Sequence, residues 1–431
     1  MSLLFSALLA LGSAQAARID EIVAATMRAD HIAGLSLGIA RRGVPLYLRG
    51  YGERDLARAL PADEYTAYCA GSIAKQFTAA LVMQQAVAGR IALEAPLSRY
   101  LPGAGAYASV TVAQLLGQTS GIPSYTDRPE AELRALAASN PPPQALRQLA
   151  AAAPPAFAPG DAWQYSNTNY LLLGMILERV ASKPYAALLQ NEASALGLRS
   201  TAFGAPASGD AAQGYAWHDG FLPVTTTVQM ANLAYAAGGL TSNVPDLLAW
   251  LEALRGGAAV SPSAFATMTS SVRLNDGIPA HYGYGFFIAD WYGRRVAFAP
   301  GELDGFSGAD AIVLDDGLEL ALLSNADRVD LGPLAKSVAA IADPSLERDA
   351  FARPAENENP AVTAQVRAIA ATPAFAALGP LRLVEFVERR GAGAIAYDTY
   401  RLTFASGQWW LTIGYASGGA IESLSLQPDT G

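Results

Sequence analysis

The sequence has few of the residues from which most metal sites and catalytic triads are built. Its 431 residues include one cysteine, Cys69, and three histidines, His31, His218 and His281. A single cysteine cannot form an intramolecular disulfide, and the histidines have neither metal-ligand spacing nor the partners that a histidine-based triad requires. We therefore expect no metal site and no cofactor, and we expect Cys69 to be buried rather than reactive.

Charged residues are also scarce, at 16% of the chain compared with about a quarter in an average protein. The net charge is −9, and the basic residues form no patch along the sequence. This distribution argues against nucleic acid as a partner. With 52% hydrophobic residues the chain can bury a large core, and its length predicts two domains.

No segment beyond the N-terminus is apolar over the length that a bilayer crossing needs. The first 16 residues contain a short apolar core followed by Ala14-Gln15-Ala16, which has the small residues of a signal-peptidase site. The basic residues that usually precede such a core are missing from this stretch. The pattern predicts a signal peptide over residues 1–16 and an exported, periplasmic protein with no transmembrane segment in the mature chain.

Lysine is the scarcest charged residue of the chain. Only three of the 29 basic residues are lysines, and the rest are arginines. One of the three, Lys75, follows Ser72 by three residues at the start of an apolar stretch that predicts a helix. Residues three apart share a helix face, and both burial and the helix N-terminus favour a neutral amine, which can take the proton of a serine nucleophile. A capping serine followed by a surface lysine has the same spacing, so the surrounding sequence must decide between the two interpretations.

A second polar motif, Tyr165-Ser166-Asn167, lies directly before an apolar helix predicted over 171–180. A loop tyrosine could relay protons, and an asparagine amide could orient the base or hold a substrate carbonyl. The alternative is a loop with a helix cap, since serine and asparagine both cap well. Two further polar turns lie along the chain, at 119–123 and at 238–242.

Together these segments resemble the serine beta-lactamase and penicillin-binding-protein superfamily, most closely its branch of class C beta-lactamases, D-alanyl-D-alanine carboxypeptidases and esterases. Ser72 and Lys75 match the family's S-x-x-K motif, and Tyr165 and Asn167 match its Y-x-N motif. The resemblance covers about residues 19–342. It implies an acyl-enzyme route in which Ser72 attacks a carbonyl, Lys75 activates the serine and Tyr165 passes the proton to the leaving group. The backbone N–H of Ser72 would be one oxyanion-hole donor.

The third motif of the family, Lys-Thr-Gly or His-x-Gly on an inner strand, is altered here. The matching stretch is Ala299-Pro300-Gly301-Glu302, in which Ala299 takes the place of the cation. Alanine cannot bind a substrate carboxylate, so the usual anchor for penicillins and peptide C-termini is missing. Gly301 and a backbone N–H near Glu302 still fit a substrate-binding edge. The Glu302 carboxylate either disfavours anionic substrates at the cleft or is a solvated turn residue.

Two functions fit these residues. The first is an esterase or D-alanyl-type peptidase that hydrolyses an ester or amide of a small-molecule or short-peptide acyl substrate. The second is a catalytically lapsed relative that binds cell-wall peptide or a protein partner. The joint presence of Ser72, Lys75, Tyr165 and Asn167 favours the first, and Ala299 keeps the second open.

The resemblance implies an α+β fold for residues 17–345, with an antiparallel sheet flanked by helices and a helical lobe. Two hairpins are predicted, one around Arg41-Arg42-Gly43 and one around Asp315-Asp316-Gly317. The first hairpin contains Gly34-Leu35-Ser36-Leu37-Gly38, which matches the nucleophile elbow of alpha/beta-hydrolases. That elbow needs a strand–turn–helix context, so we interpret Ser36 as an ordinary strand residue.

The C-terminal part of the sequence predicts a small α+β module. Residues 346–360 have the composition of a linker, and residues 361–431 follow it. The module contains a helix at 361–378 and strands at 382–389, 394–404, 409–415 and 421–426. A helix that leads into an antiparallel sheet is similar to nuclear-transport-factor-2-like or cystatin-like modules, which are often non-catalytic.

Overall fold

The structure is a computed structural model that describes residues 11–204, 209–224, 228–346, 366, 368, 378–379, 381–392, 395–404, 407–415 and 421–428. The chain divides into two compact units. Unit 1 contains the segments Met1–Ala74, Ala186–Phe265 and Phe298–Pro344, and unit 2 contains Lys75–Tyr185, Ala266–Ala297 and Ser345–Gly431. Each unit therefore combines segments that are distant in the sequence.

The helices in the described part of the chain are α1 (Ser13–Ala29), α2 (Ala74–Val87), α3 (Leu97–Tyr100), α4 (Val112–Leu116), α5 (Glu130–Ala138), α6 (Pro143–Ala151), α7 (Asn167–Ala181), α8 (Tyr185–Ala195), α9 (Val228–Gly238, interrupted at Tyr235), α10 (Val244–Arg255), α11 (Pro262–Met268) and α12 (Gly332–Ala342). Short 3-10 turns occur at Gly71–Ile73 and Gly105–Tyr107. Within these described residues, no helix has the length and apolar character needed to cross a membrane.

The strands are β1 (Gly34–Arg41), β2 (Val44–Asp55), β3 (Leu60–Pro61), β4 (Tyr68–Cys69), β5 (Ala202–Phe203), β6 (Gly214–Trp217), β7 (Phe221–Val224), β8 (Leu240–Ser242), β9 (Phe287–Trp291), β10 (Arg294–Leu303), β11 (Phe306–Val313), β12 (Leu318–Ser324), β13 (Leu381–Ala392), β14 (Ile395–Phe404), β15 (Gly407–Tyr415) and β16 (Ile421–Pro428). Seven of them form a large antiparallel sheet in the order β3-β2-β1-β12-β11-β10-β9. The predicted α+β class, with an antiparallel sheet flanked by helices, is confirmed.

The centre of the large sheet is the core of unit 1. Strands β11 and β12 are buried along their whole length, and β1 is buried up to its last residue. In the antiparallel register Leu37 faces Leu322, which in turn faces Ala309. Helices α10 and α12 pack on β12, and α1 packs on α12. Apolar side chains on both faces of these strands are therefore removed from water, which is the dominant stabilising contribution to such a layer.

Both predicted hairpins are present. The β1–β2 turn has φ of 51° at Arg42 and 73° at Gly43, and consecutive left-handed residues of this kind match the twist of two-residue hairpins. Residues 314–317, which include the predicted Asp315-Asp316-Gly317 turn, connect β11 to β12. Ser36 lies within β1, where its Oγ donates to the Asp63 carbonyl at 2.6 Å and contacts the Tyr68 hydroxyl at 2.8 Å. This serine is thus a buried strand residue, as its sequence context predicts.

Unit 2 is organised around α7. Ten consecutive residues of this helix, Thr168 to Leu177, are buried, and helices α3, α4 and α6 pack against it. The helix begins at Asn167, four residues before the predicted start at Leu171. The apolar pattern begins only at Leu171, whereas the first turn carries polar side chains that the structure buries with hydrogen bonds. The expected boundary was therefore wrong by one helical turn.

The four C-terminal strands form an antiparallel sheet in the order β13-β14-β15-β16. The buried core cluster at this sheet contains Val366, which lies outside the strands, together with Val384, Tyr400, Leu402, Phe404, Leu411 and Ile413. The predicted strands match these four within a few residues. The predicted linker at 346–360 and helix at 361–378 lie almost entirely outside the described residues, so the boundaries of the module and its nuclear-transport-factor-2-like or cystatin-like character stay predictions.

Candidate active site

Ser72 lies in the 3-10 turn Gly71–Ile73, directly ahead of α2, and it is partly exposed. Gly71 has φ of +54°, a left-handed conformation that glycine adopts readily. The turn is anchored to unit 1 by the pairing of β4 with β8 and by a hydrogen bond from the Ala70 N–H to the Leu240 carbonyl at 2.8 Å. The predicted helix at Ser72 thus begins as a 3-10 turn, a frequent start for an α-helix. Lys75 follows in the first turn of α2.

Strand β10 places its backbone against the turn that carries Ser72. A Cβ atom added to Gly71 would overlap the backbone nitrogen, carbon and oxygen of Glu302, and one added to Gly301 would overlap the Ala70 carbonyl. Neither position has room for a side chain, so both glycines are required for this close approach. Within unit 1, the backbone of Gly301 and Glu302 is therefore a neighbour of the nucleophile turn. This is the arrangement expected of a strand that supplies an oxyanion donor.

The side chains of β10 alternate between its two faces. Ala299 is 3% exposed, whereas the Glu302 side chain is directed to the accessible face. Partial burial of its carboxyl is the main cause that raises the pKa of Glu302 above its ordinary value, and Asp327 raises it further. Arg328 acts in the opposite direction. Glu302 thus lies near other carboxylates, and the uncharged Ala299 stands where the third motif of the family has a cation.

Lys75 is 1% exposed and is one of the largest fully buried side chains of the described residues. Its Nζ donates to Asn167 Oδ1 at 2.8 Å and lies 4.6 Å from the ring centroid of Tyr165 and 5.6 Å from that of Tyr170. Desolvation by burial holds the pKa of Lys75 well below its ordinary value, because an ammonium loses its hydration in such surroundings. The side chain therefore has the electrostatic character of a general base rather than of a surface cation.

Tyr165 belongs to an aromatic cluster in unit 2. Its ring stacks on Phe287 with centroids 6.3 Å apart and an interplanar angle of 9°, and it meets Tyr282 edge-on at 6.5 Å. The same cluster contains Trp163 and Leu274. These contacts fix the plane of the Tyr165 ring beside Lys75. The structure therefore brings Lys75, Tyr165 and Asn167 together, as the sequence motifs predict.

Besides accepting from Lys75, Asn167 makes hydrogen bonds through its side-chain nitrogen and its backbone. Asn167 Nδ2 donates to Thr126 Oγ1 at 2.9 Å, and the Asn167 backbone N–H donates to Ser124 Oγ at 3.1 Å. Ser166 occupies the N-cap position of α7, but its side chain makes no capping hydrogen bond. The alternative interpretation of this motif as a simple helix cap is thus not supported, because Asn167 directs its side chain to the lysine.

Sequence reasoning did not select three residues of this network. Ser124 and Thr126 contact Asn167, and Gln118 Oε1 accepts hydrogen bonds from the Ser166 N–H at 3.0 Å and from Asn169 Nδ2 at 2.6 Å. Gln118 is fully buried and has φ of +61°, an unusual conformation for a residue with a Cβ atom. The only available signal was the polar turn at 119–123, which these residues flank.

Cys69 is a buried strand residue of β4. Burial raises the pKa of its thiol to about 12, so the thiolate is not formed near neutral pH. The expectation of a buried cysteine is therefore met, and its lack of reactivity stays a prediction. Over the described ranges, no group of three or more His, Cys, Asp or Glu side chains has an arrangement that could hold a metal ion.

A family model described as Beta-lactamase matches residues 19–343, which is most of the sequence. The chain belongs to the beta-lactamase family. Protein flp of Staphylococcus aureus strain N315 is 31% identical over 179 residues, or 40% of this chain and 35% of that protein. The matched region is thus only about a third of the length of this staphylococcal relative.

Two solved structures share the fold. The octameric penicillin-binding protein homologue from Pyrococcus abyssi has a TM-score of 0.66 at 21% identity and covers 96% of this chain and 98% of that chain. A D-stereospecific amidohydrolase from Streptomyces sp. has a TM-score of 0.62 at 29% identity and covers 78% of this chain and 97% of that chain. The predicted superfamily is thereby confirmed. The class C branch in particular stays a prediction.

Proposed function

We propose that the protein is a serine hydrolase that forms an acyl-enzyme on Ser72 and cleaves an ester or amide of a small acyl substrate, as an esterase or a D-alanyl-type peptidase. The observation that carries this proposal is the state of Lys75. A fully buried lysine with a depressed pKa, three residues after a serine in one helical run, is suited to remove the serine proton.

The proposed first half-reaction acylates Ser72. As Ser72 Oγ attacks the carbonyl carbon, its proton moves to Lys75 Nζ and the carbonyl electron pair moves to oxygen. The backbone N–H groups of Ser72 and Glu302 are the proposed donors to that oxyanion, in line with the close approach of Glu302 to Gly71. Tyr165, beside Lys75, passes the proton to the leaving group as its bond to the carbonyl carbon breaks.

The second half-reaction releases the acyl group. Water attacks the ester carbon of the acylated Ser72 and gives up a proton through Tyr165 and Lys75, and the bond from carbon to Ser72 Oγ breaks as the oxygen regains a proton. The likeness to a D-stereospecific amidohydrolase at 29% identity supports an amide as one substrate class. Export of the protein, proposed from residues 1–16, would place this reaction in the periplasm.

Local charge supports a substrate without a carboxylate next to the scissile bond. Ala299 offers no positive charge, and the carboxyl of Glu302 lies near Asp304 and Asp327. A neutral or cationic acyl group is therefore preferred over an anionic one. The same missing cation favours the second candidate function, a lapsed relative that binds cell-wall peptide or a protein partner without turnover.

The test is the intact mass of the protein after exposure to a fluorophosphonate probe, for the parent, Ser72→Ala and Ser36→Ala. We expect one adduct on the parent and on Ser36→Ala and none on Ser72→Ala, because Ser36 is a buried strand residue. Circular dichroism of each variant establishes that it is folded. A parent that stays unlabelled, or a Ser72→Ala variant that is labelled like the parent, contradicts the assignment of Ser72 as an activated nucleophile.

A further inference from the structure

We infer that Thr126 is a positioning residue for Lys75 and that it acts through the side-chain amide of Asn167. The inference rests on the proposed function, in which Lys75 is the base. Thr126 lies in the loop between α4 and α5, is half-buried, and belongs to none of the motifs that carry the family resemblance. Its role follows from the order of the hydrogen bonds around Asn167.

Asn167 makes a different contact with each end of its amide. Lys75 Nζ donates to Oδ1 at 2.8 Å, and Nδ2 donates to Thr126 Oγ1 at 2.9 Å. Both contacts are within normal hydrogen-bond range. An amide can rotate by half a turn and exchange its oxygen and nitrogen, so something must determine which end faces the lysine.

We infer that the neighbouring hydroxyl groups hold the amide of Asn167 in the observed direction. Ser124 Oγ accepts from the Asn167 N–H at 3.1 Å and from the Thr126 N–H at 3.4 Å, which occupies both of its lone pairs. Ser124 must therefore donate its own proton, and its hydroxyl partner is Thr126 Oγ1 at 2.8 Å. Thr126 Oγ1 then has one lone pair left, and Asn167 Nδ2 donates to it, which leaves Oδ1 facing Lys75.

The direction of the amide matters for a base. A neutral lysine has one lone pair and two N–H groups. Facing Oδ1, Lys75 donates one N–H and keeps its lone pair for the serine proton. In the reversed arrangement an N–H of Asn167 would bind that lone pair and compete with proton transfer. Thr126 therefore keeps the base available, although Thr126 itself makes no hydrogen bond with the lysine among those described.

Two matched variants separate this role from a structural one. Thr126→Val keeps the shape of the side chain and removes its oxygen, whereas Thr126→Ser keeps the oxygen and removes a methyl group. The readout is the rate constant for fluorophosphonate labelling of Ser72 between pH 5 and pH 10. We expect Thr126→Val to react about tenfold more slowly at its plateau, the effect of one lost hydrogen bond, and its acid limb to move to lower pH. Thr126→Ser is expected within about twofold of the parent at every pH.

The outcomes distinguish this inference from the proposed function. If Thr126→Val has the plateau and pH profile of the parent while Ser72→Ala is unlabelled, the inference is wrong and the proposed function stands. Equal losses in Thr126→Val and Thr126→Ser also overturn it, because they point to packing. Should Thr126→Val fail to fold, Ser124→Ala serves instead, since it removes the proton that orders Thr126, and an unchanged profile there has the same meaning. An unlabelled parent overturns both proposals.

Discussion

The stability of unit 1, which carries Ser72, is expected to depend on the protonation of Glu319. This residue lies on β12 and is 0% exposed. Its Oε2 accepts the Gly43 N–H at 3.0 Å, and its Oε1 is 3.5 Å from Arg255 Nε. Glu252, also on α10, binds the same arginine at 2.6 Å. The β1–β2 turn, α10 and β12 thus meet at the Glu319 carboxyl, which is removed from water and adjacent to the Glu252 carboxyl.

The pKa of Glu319 is raised to about 8, mainly by burial; the hydrogen bond from the Gly43 N–H and the charge of Arg255 lower it, and the hydrogen bond and charge of Glu252 raise it. The folded protein therefore keeps this proton up to about pH 8, whereas the unfolded chain loses it near its ordinary value of 4.5. The folded state binds more protons between these values, so the free energy of unfolding falls as pH rises. At about 1.4 kcal/mol per pKa unit the upper limit is about 5 kcal/mol. Because relaxation of the protein around a buried charge lowers the cost of ionisation, we expect about 2–4 kcal/mol.

The substitution Glu319→Gln keeps the shape of the side chain and removes its charge at every pH. It retains an oxygen for the Gly43 N–H and gains an N–H that can donate to Glu252. Near pH 5 the variant and the parent are expected to have similar stability, since both are neutral at this position. By pH 9 the variant is expected to be more stable by about 2–4 kcal/mol.

The assay is urea unfolding followed by tryptophan fluorescence at constant ionic strength, from pH 5 to pH 9. Glu21→Gln is the matched control, because Glu21 is an exposed glutamate of the same unit, on α1. Its difference from the parent is expected to be the same at every pH. A difference between Glu319→Gln and the parent that does not change with pH would contradict a raised pKa of Glu319, since it would mean that Glu319 is ionised in the folded protein throughout this range.

Two further predictions concern the candidate active site. Lys75→Met is expected to abolish fluorophosphonate labelling. It is also expected to remove a rise in stability as pH approaches the ordinary pKa of lysine, about 10.4, because below that pH the unfolded chain binds a proton on Lys75 that the folded protein, with its depressed pKa, holds less strongly; urea unfolding of both proteins as a function of pH measures this rise. Tyr165→Phe is expected to keep the stacking on Phe287 and the melting temperature of the parent. It is expected to slow turnover of p-nitrophenyl acetate at least about a hundredfold with little change in KM. A variant as fast as the parent would contradict the proton-relay role of Tyr165.

The sequence was sufficient where local chemistry determines structure. Alternation of apolar residues and the turn at Arg42 and Gly43 predicted the first hairpin, because consecutive left-handed residues allow few other connections. In that hairpin the interacting residues lie a few positions apart, so the pattern in the sequence already contains the geometry. The serine–lysine spacing left a catalytic base and a surface lysine both open, and the Tyr165 and Asn167 motif favoured the base. Lys75 is buried with a depressed pKa, but its hydrogen bond to Asn167 joins distant segments, so its burial follows from tertiary packing, and its role as a base stays a prediction.

The features of the fold and of the candidate site that the sequence did not predict depend on contacts between distant segments. Thr126 and Asn167 are 41 positions apart, and nothing in the loop around Thr126 indicates a partner on α7. The start of α7 was placed too late because its first turn is stabilised by buried polar contacts rather than by apolar periodicity. The close approach of Gly71 to Glu302 likewise follows from tertiary packing, which single-sequence patterns do not record.

The scarcity of lysine in this chain supports the proposed role of Lys75 as a base. Arginine supplies all but three of the 29 basic residues, yet the basic side chain at this fully buried position is a lysine. An arginine here would remain charged, because its pKa is above 12 and burial does not bring it to neutral pH. A lysine loses its proton under the same conditions and becomes a base. A residue that served only to fill space beside Tyr165 and Tyr170 would be apolar, and one that served only to carry charge would be at the surface. The combination of full burial, a depressed pKa and an amide that presents its oxygen to the amine therefore supports the proposal that Lys75 accepts a proton from Ser72.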